Sequence, residues 1–102
     1  MVLLATEDGQ VRGVGEFVMS AAGEAEIALT VEDGFQHRGI GAMLYCQLER
    51  LAHLRGLVGF TADVSYRNER VRSMLANSGR FIGAQFDSGL IRFNLRIVPS
   101  QG

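Results

Sequence analysis

The chain has 102 residues, 47% of them hydrophobic and 21% charged, which suits one small globular domain. A net charge of −1 argues against a broad surface for nucleic acid or anionic membrane, and no apolar run is long enough to span a bilayer. Cys46 is the only cysteine, so no internal disulfide can form, and all ten basic residues are arginine. Residues 2–6 and 11–19 are rich in apolar and β-branched side chains around Asp8-Gly9, which predicts a β-hairpin. Ala21-Ala22-Gly23 reads as a turn and 25–31 as a third strand. Ile40, Met43, Leu44, Leu48, Leu51 and Leu54 recur at three- and four-residue steps, which predicts one apolar stripe of a helix over 40–55, stopped at Gly56. Residues 57–64 read as a strand. Residues 67–77 read as a shorter helix with Val71, Met74 and Leu75 inward, and 80–86 and 90–98 as a hairpin about Asp87-Ser88-Gly89.

The order is β-β-β-α-β-α-β-β, an α+β chain with a mixed, mainly antiparallel sheet. The central strand–helix–strand unit predicts one parallel pair with a right-handed crossover. Residues 1–98 form a single domain in this reading, with 99–102 as a polar tail.

The most informative stretch is Gln36-His37-Arg38-Gly39-Ile40-Gly41, because a strand precedes it and a helix follows it. The first N–H groups of a helix lack intrahelical partners and carry the positive end of its dipole, which suits a phosphate. Glycines admit the ligand to the backbone, and Arg38 is a permanent cation. No lysine follows the glycines, so this is not a Walker A loop, and without a third glycine it is not a dinucleotide fingerprint. Gly13-Val14-Gly15 sits in a strand pattern with no helix after it and reads as a bulge or a close strand contact. From the local pattern alone, the loop is either a phosphate grip or a plain strand-to-helix turn.

The wider pattern resembles the GNAT superfamily of acyl-CoA-dependent N-acyltransferases. The residues that carry the resemblance are Val31, Gln36-x-x-Gly39-x-Gly41, the helix, the next strand, then Asn68 and a helix ending at Gly79. It covers nearly the whole chain, and the loop is its most specific part. Among the branches it is most similar to bacterial protein-lysine acetyltransferase domains. The resemblance implies that backbone groups of Leu29, Thr30 and Val31 pair with the pantetheine arm of acetyl-CoA like an added strand. It implies that Gln36, His37, Arg38, Gly39, Ile40 and Gly41 hold the pyrophosphate, and that Asn68 touches the cofactor. Arg70 and Arg72 lie nearby and read first as solvated surface charges, with contact to the CoA phosphates as the second reading.

The implied reaction is attack of a primary amine on a thioester, with protein lysine slightly favoured over a small molecule as the acceptor. A lysine-like ammonium has a pKa of ~10.4, so freeing its lone pair near neutral pH costs roughly 4–5 kcal/mol. The site needs a base and a donor for the developing oxyanion. The implied donor is the N–H of Leu29. Glu26 is a candidate base on the strand before the loop, and Asp63, five residues before Asn68, is the alternative. Strand alternation sets Glu26 with Ala28 and Thr30, opposite Ile27 and Leu29. Many family members carry a tyrosine seven residues after the asparagine; this chain has Leu75 there.

Cys46, with no ligand partner at a helical spacing, reads as a partly buried small side chain, and the methionines and phenylalanines read mostly as core. No metal-ligating set is read, and acetyl-CoA is the one co-substrate implied. The start lacks a signal-peptide pattern, so cytoplasm is expected. A full family domain opens with a further strand and two helices that wall the acceptor side, so the fold is expected to be N-terminally truncated. Three readings stay open: a minimal enzyme completed as a homodimer, a fragment, or a non-catalytic acyl-CoA-binding or interaction module.

Overall fold

The computed structural model of the chain describes residues 1–32, 34 and 39–99. The elements are β1 (Val2–Glu7), β2 (Gln10–Ala21), β3 (Glu24–Val31), α1 (Ile40–Leu54), β4 (Gly59–Ser65), α2 (Glu69–Ala76), β5 (Phe81–Asp87) and β6 (Leu90–Arg96). The element order matches the sequence expectation, and the boundaries move by one or two residues. Both hairpin turns use two successive left-handed residues, Asp8-Gly9 (φ 53° and 77°) and Ser88-Gly89 (φ 50° and 86°). Such turns match the twist of the strands they join.

The six strands form one sheet in the order β1-β2-β3-β4-β6-β5. β3 and β4 are parallel and the other neighbours antiparallel, as the central strand–helix–strand unit requires. The parallel pairing is short. It runs from Glu24↔Gly59 to Ile27↔Ala62 and then ends. Beyond it β3 stays paired with β2 as far as Val31, and β4 stays paired with β6 as far as Ser65. The sheet therefore opens into a wedge between its two central strands.

Phe17, Ala25, Ile27, Phe60, Ala62, Val64, Ile91, Phe93 and Leu95 alternate along β2, β3, β4 and β6 onto one buried face. Leu44, Tyr45, Leu48 and Ala52 of α1, and Leu75 of α2, close over it. The Phe60 ring lies 6.0 Å from those of both Phe17 and Tyr45. The buried stripe of α1 is rotated from the one predicted. Tyr45, Glu49 and Ala52 face inward, while Met43 and Leu54 are exposed. A leucine count favours Leu54, but two residues along a helix turn it to the far side from Ala52, which is buried.

Gly13 and Gly15 serve this helix. A Cβ on Gly13 would stand 2.9 Å from Ile40 Cγ2, and one on Gly15 would stand 3.1 Å from Leu48 Cδ1. The close approach is made by α1 and by the neighbouring strand β3, whose Thr30 carbonyl would stand 3.3 Å from a Cβ on Gly13 and whose Leu29 Cδ2 would stand 3.2 Å from one on Gly15. The bulge expected here falls beside Gly13, where Ala5↔Gly13 is followed by Thr6↔Val11. Cys46 is exposed, a correction to the partly buried placement. Met1, Met19, Phe81 and Phe86 are exposed too, on β5 and the ends of the first hairpin, and Met43 is exposed on the outer side of α1.

Glu49 is buried on α1 and its charge is matched. Arg80 donates to it through Nε (2.7 Å) and Nη2 (3.1 Å), and the Val98 N–H donates at 3.1 Å. This ties α1 to the start of β5 and to the end of the last hairpin. Burial raises the Tyr45 hydroxyl pKa beyond its ordinary value, with Glu49 adding to the effect.

Candidate functional site

The wedge between β3 and β4 leads into a cavity. Glu32 N–H donates to Arg12 O at 2.8 Å, so main-chain groups at every second residue back along β3 face β2. The alternate residues, Leu29 among them, turn their main-chain groups towards the side where pairing with β4 has ended. A narrow cleft of about 120 Å³ lies there, lined by Ile27–Leu29 of β3, 62–65 of β4, Asn68, Val71 and Leu75. Next to it is a larger cavity of about 480 Å³, bounded by Leu29, Thr30, Val31, Gly39, Gly41, Ala42, Asn68, Arg70, Val71 and Met74.

α1 begins at this cavity. Its cap residue, Gly39, is left-handed at φ 75°, and its carbonyl accepts from Met43 N–H at 3.0 Å. A glycine cap has no side chain to close the first turn, and the first turn carries no acid. Its N–H groups therefore point to where an anion gains both hydrogen bonds and the helix dipole. A Cβ on Gly41 would sit 3.7 Å from both Met74 Sδ and Val31 Cγ2, so larger side chains there project into the cavity wall.

Of the residues expected at the cofactor, Leu29, Thr30, Val31, Gly39, Gly41 and Asn68 line this cavity together. Ile40 packs the other way, towards Gly13. Gln36, His37 and Arg38 lie outside the described residues. Asn68 also has a structural task, because its Oδ1 accepts from Val71 N–H at 3.3 Å and caps α2. Arg70, read from sequence as a solvated charge, lines the cavity. Arg72 goes elsewhere: its guanidinium lies 4.8 Å from the Tyr66 ring centre. The apolar wall of Val71 and Met74 was legible only as helix core, because periodicity cannot tell a core face from a cavity face. Leu75 is buried in the core.

The two candidate bases lie on the opposite face of the sheet from the helices. Glu26 and Asp63 are exposed, on neighbouring strands, with Glu26 opposite Thr61, two residues before Asp63. Arg92 of β6 pairs with Asp63 across the β4–β6 ladder. It donates to both Asp63 oxygens at 2.8 Å, from Nε and Nη2. Nη2 also stands 3.7 Å from Glu26 Oε1. The two-pronged bond holds the Asp63 carboxyl below its usual pKa, a shift towards the ionised and less basic form.

A profile of the acetyltransferase (GNAT) family matches residues 1–79. The chain belongs to this family. No curated protein sequence matches it. Among solved structures it is similar to a cAMP-binding acyltransferase from Mycobacterium smegmatis, with 29% identity and a TM-score of 0.81 over 96% of this chain and 31% of that one. It is similar to the GNAT domain of S. lividans PAT, with 26% identity and a TM-score of 0.83 over 93% of this chain and 59% of that one. The PaiA N-acetyltransferase from Thermoplasma acidophilum, solved in complex with coenzyme A, shares the fold at 21% identity, with a TM-score of 0.81 over 94% of this chain and 60% of that one. The chain spans less than two thirds of the length of each of these. The GNAT fold explains why β3 and β4 part: the wedge, the glycine-capped helix and the capped start of α2 meet at one cavity. Among the described residues, no helix is long and apolar enough to cross a membrane.

Proposed function

We propose that this GNAT chain transfers an acetyl group from acetyl-CoA to a primary amine, and that the acceptor is a lysine side chain of a protein. The observation that carries the reading is the β3–β4 wedge opening onto the unencumbered first turn of α1. The donors there fit the cofactor. The peptide groups of β3 that face the wedge, those of Leu29 among them, suit the amides of pantetheine, the N–H groups at Gly39 to Ala42 suit pyrophosphate, and Arg70 lends a cation at the cavity wall. Bound there, acetyl-CoA supplies an acyl group on a good leaving thiolate.

The chain's own residues do the rest. Glu26 takes the proton that the ammonium must lose, and the N–H of Leu29 donates to the oxygen on which charge develops. Glu26 is preferred to Asp63 because both Asp63 oxygens are already held by Arg92. The acidic open face, with Glu16, Glu26 and Asp63, favours a cationic acceptor, and its openness admits a polypeptide segment. The chain acts in the cytoplasm, with residues 1–98 as one domain. It works as a homodimer, a reading supported by the exposed Phe81, Ile82 and Phe86 of edge strand β5. Light scattering checks this: a monomeric mass at micromolar concentration removes the dimer.

Acetyl-CoA titrated by calorimetry, followed by thiol release with a panel of amines and lysine peptides, tests the activity. Binding together with release is expected. Binding without release for every acceptor would leave an acyl-CoA-binding module, and no binding would remove both.

A further inference from the structure

The open face holds a three-residue cluster that neither the cofactor cavity nor the sheet requires. Glu26 of β3, Asp63 of β4 and Arg92 of β6 come from three adjacent strands. One guanidinium nitrogen, Nη2 of Arg92, serves both carboxylates, at 2.8 Å from Asp63 Oδ2 and 3.7 Å from Glu26 Oε1. Nε of the same residue takes the other Asp63 oxygen. The contacts are unequal. Asp63 is gripped on both oxygens in the planar fork that only arginine offers, while Glu26 is touched at one oxygen and at a distance longer than a hydrogen bond.

From this asymmetry we infer that Arg92 is a positioning residue that divides the work between the two carboxylates. It withdraws Asp63 from proton transfer by holding both its oxygens and leaves Glu26, touched at one oxygen, with its lone pairs available. The inference rests on the proposed acyl transfer.

The charged surroundings of Glu26 set the sign of what removing Arg92 does. Glu16 faces it from β2, Glu24 lies along β3 itself, and Asp63 stands on β4; Arg92 and Arg96 are the cations of β6, and Asp87 at the end of β5 acts on Arg92. The face is acidic on balance, and Arg92 is the cation recorded against Glu26. Without it, two carboxylates confront each other with no charge between them. Asp63 then holds its proton to higher pH, because its ionised form has lost the two bonds from Arg92.

The test compares the native chain with Arg92→Gln, Arg92→Lys and Arg92→Gln/Asp63→Asn. Carbon-detected NMR of the side-chain carboxyls, followed against pH with no ligand present, reads the grip directly. The Asp63 midpoint moves up in Arg92→Gln and only part of the way in Arg92→Lys, which keeps the charge but not the fork. An Asp63 midpoint that stays in place in Arg92→Gln overturns the inference. The second readout is kcat/KM against pH with acetyl-CoA and a lysine peptide. Arg92→Gln moves the acid limb to higher pH, lowers the rate roughly tenfold on that limb, and leaves acetyl-CoA affinity alone. The added Asp63→Asn change brings the limb back. A limb that does not move, in a variant that folds and turns over, also overturns the inference while leaving the proposed activity standing. Absence of thiol release from the native chain overturns the activity first and the role of Arg92 with it.

Discussion

The two faces of this sheet differ in kind. On the helix side, β2, β3, β4 and β6 present an almost unbroken apolar layer, and the glycines of β2 let α1 press onto it. On the other side the same strands present Glu16, Glu26, Thr61, Asp63, Arg92 and Asn94. Side chains one residue apart along a strand therefore belong to different problems, folding on one face and chemistry on the other. The wedge between β3 and β4 is where the two meet. In the proposed reaction, a ligand held against the helices reaches the carboxylates through it.

The largest effect expected from breaking this contrast comes from neighbouring residues of β4. Phe60 is almost wholly buried, at 1% exposure, and packs against Phe17 and Tyr45. Phe60→Ala removes a ring from the centre of the layer and should cost about 3–5 kcal/mol, a large part of a small domain's stability. Thr61→Ala, one residue on, should stay within about 0.5 kcal/mol. Urea denaturation measures both. A similar cost for both would mean that the open face is covered in solution.

The next effect separates the fold from the cofactor. Gly41→Glu adds a side chain and a negative charge at the first turn of α1. Acidic residues are favourable there for the helix, so stability should hold. An anion in the same place is repelled, and acetyl-CoA affinity should fall by about a hundredfold or more, close to 2.7 kcal/mol. Calorimetry and a thermal melt on the same sample decide it; unchanged affinity would move the site away from α1. On the open face, Glu26→Gln should lower turnover by about a hundredfold while leaving acetyl-CoA affinity intact. Equal turnover would shift the proton to Asp63 or to water.

How much of this was legible in the sequence follows the same division. Alternation along β3 and β4 sets the face of Glu26 and Asp63 without any structure, because a strand has only two sides. The turns at Asp8-Gly9 and Ser88-Gly89 were legible because left-handed residues leave a compositional mark. The α1 stripe was not fully legible, since Ala52 and Leu54 lie on opposite sides of the helix and which side is buried depends on how the helix is turned against the sheet. Nor was the bond between Arg92 and Asp63, which joins residues 29 apart in sequence. Register between distant strands has no local signal. The place of Arg70 on the cavity wall was ranked second for a related reason: an arginine on a short helix looks solvated until the opposite wall of the cavity is known.

The smallest effect is electrostatic and has a definite sign. Arg92 lowers the Asp63 pKa in the folded chain, whereas unfolded aspartate titrates near ~3.9. The folded state therefore prefers the ionised carboxylate. The stability this adds is complete above the unfolded pKa and is lost as pH falls through the lower, folded one. Asp63→Asn should melt slightly below the native chain at pH 7, and the gap should close as the solution is acidified below about pH 4. Both side chains are well exposed, at 41% and 45%, so water and salt screen the pair and the gap should shrink in 1 M salt. Melts at pH 7, 5 and 3, each at low and high salt, measure it. A gap that persists at pH 3 and in high salt would mean that Asp63 acts by packing rather than by charge, and that the open face is more tightly built than its exposure implies.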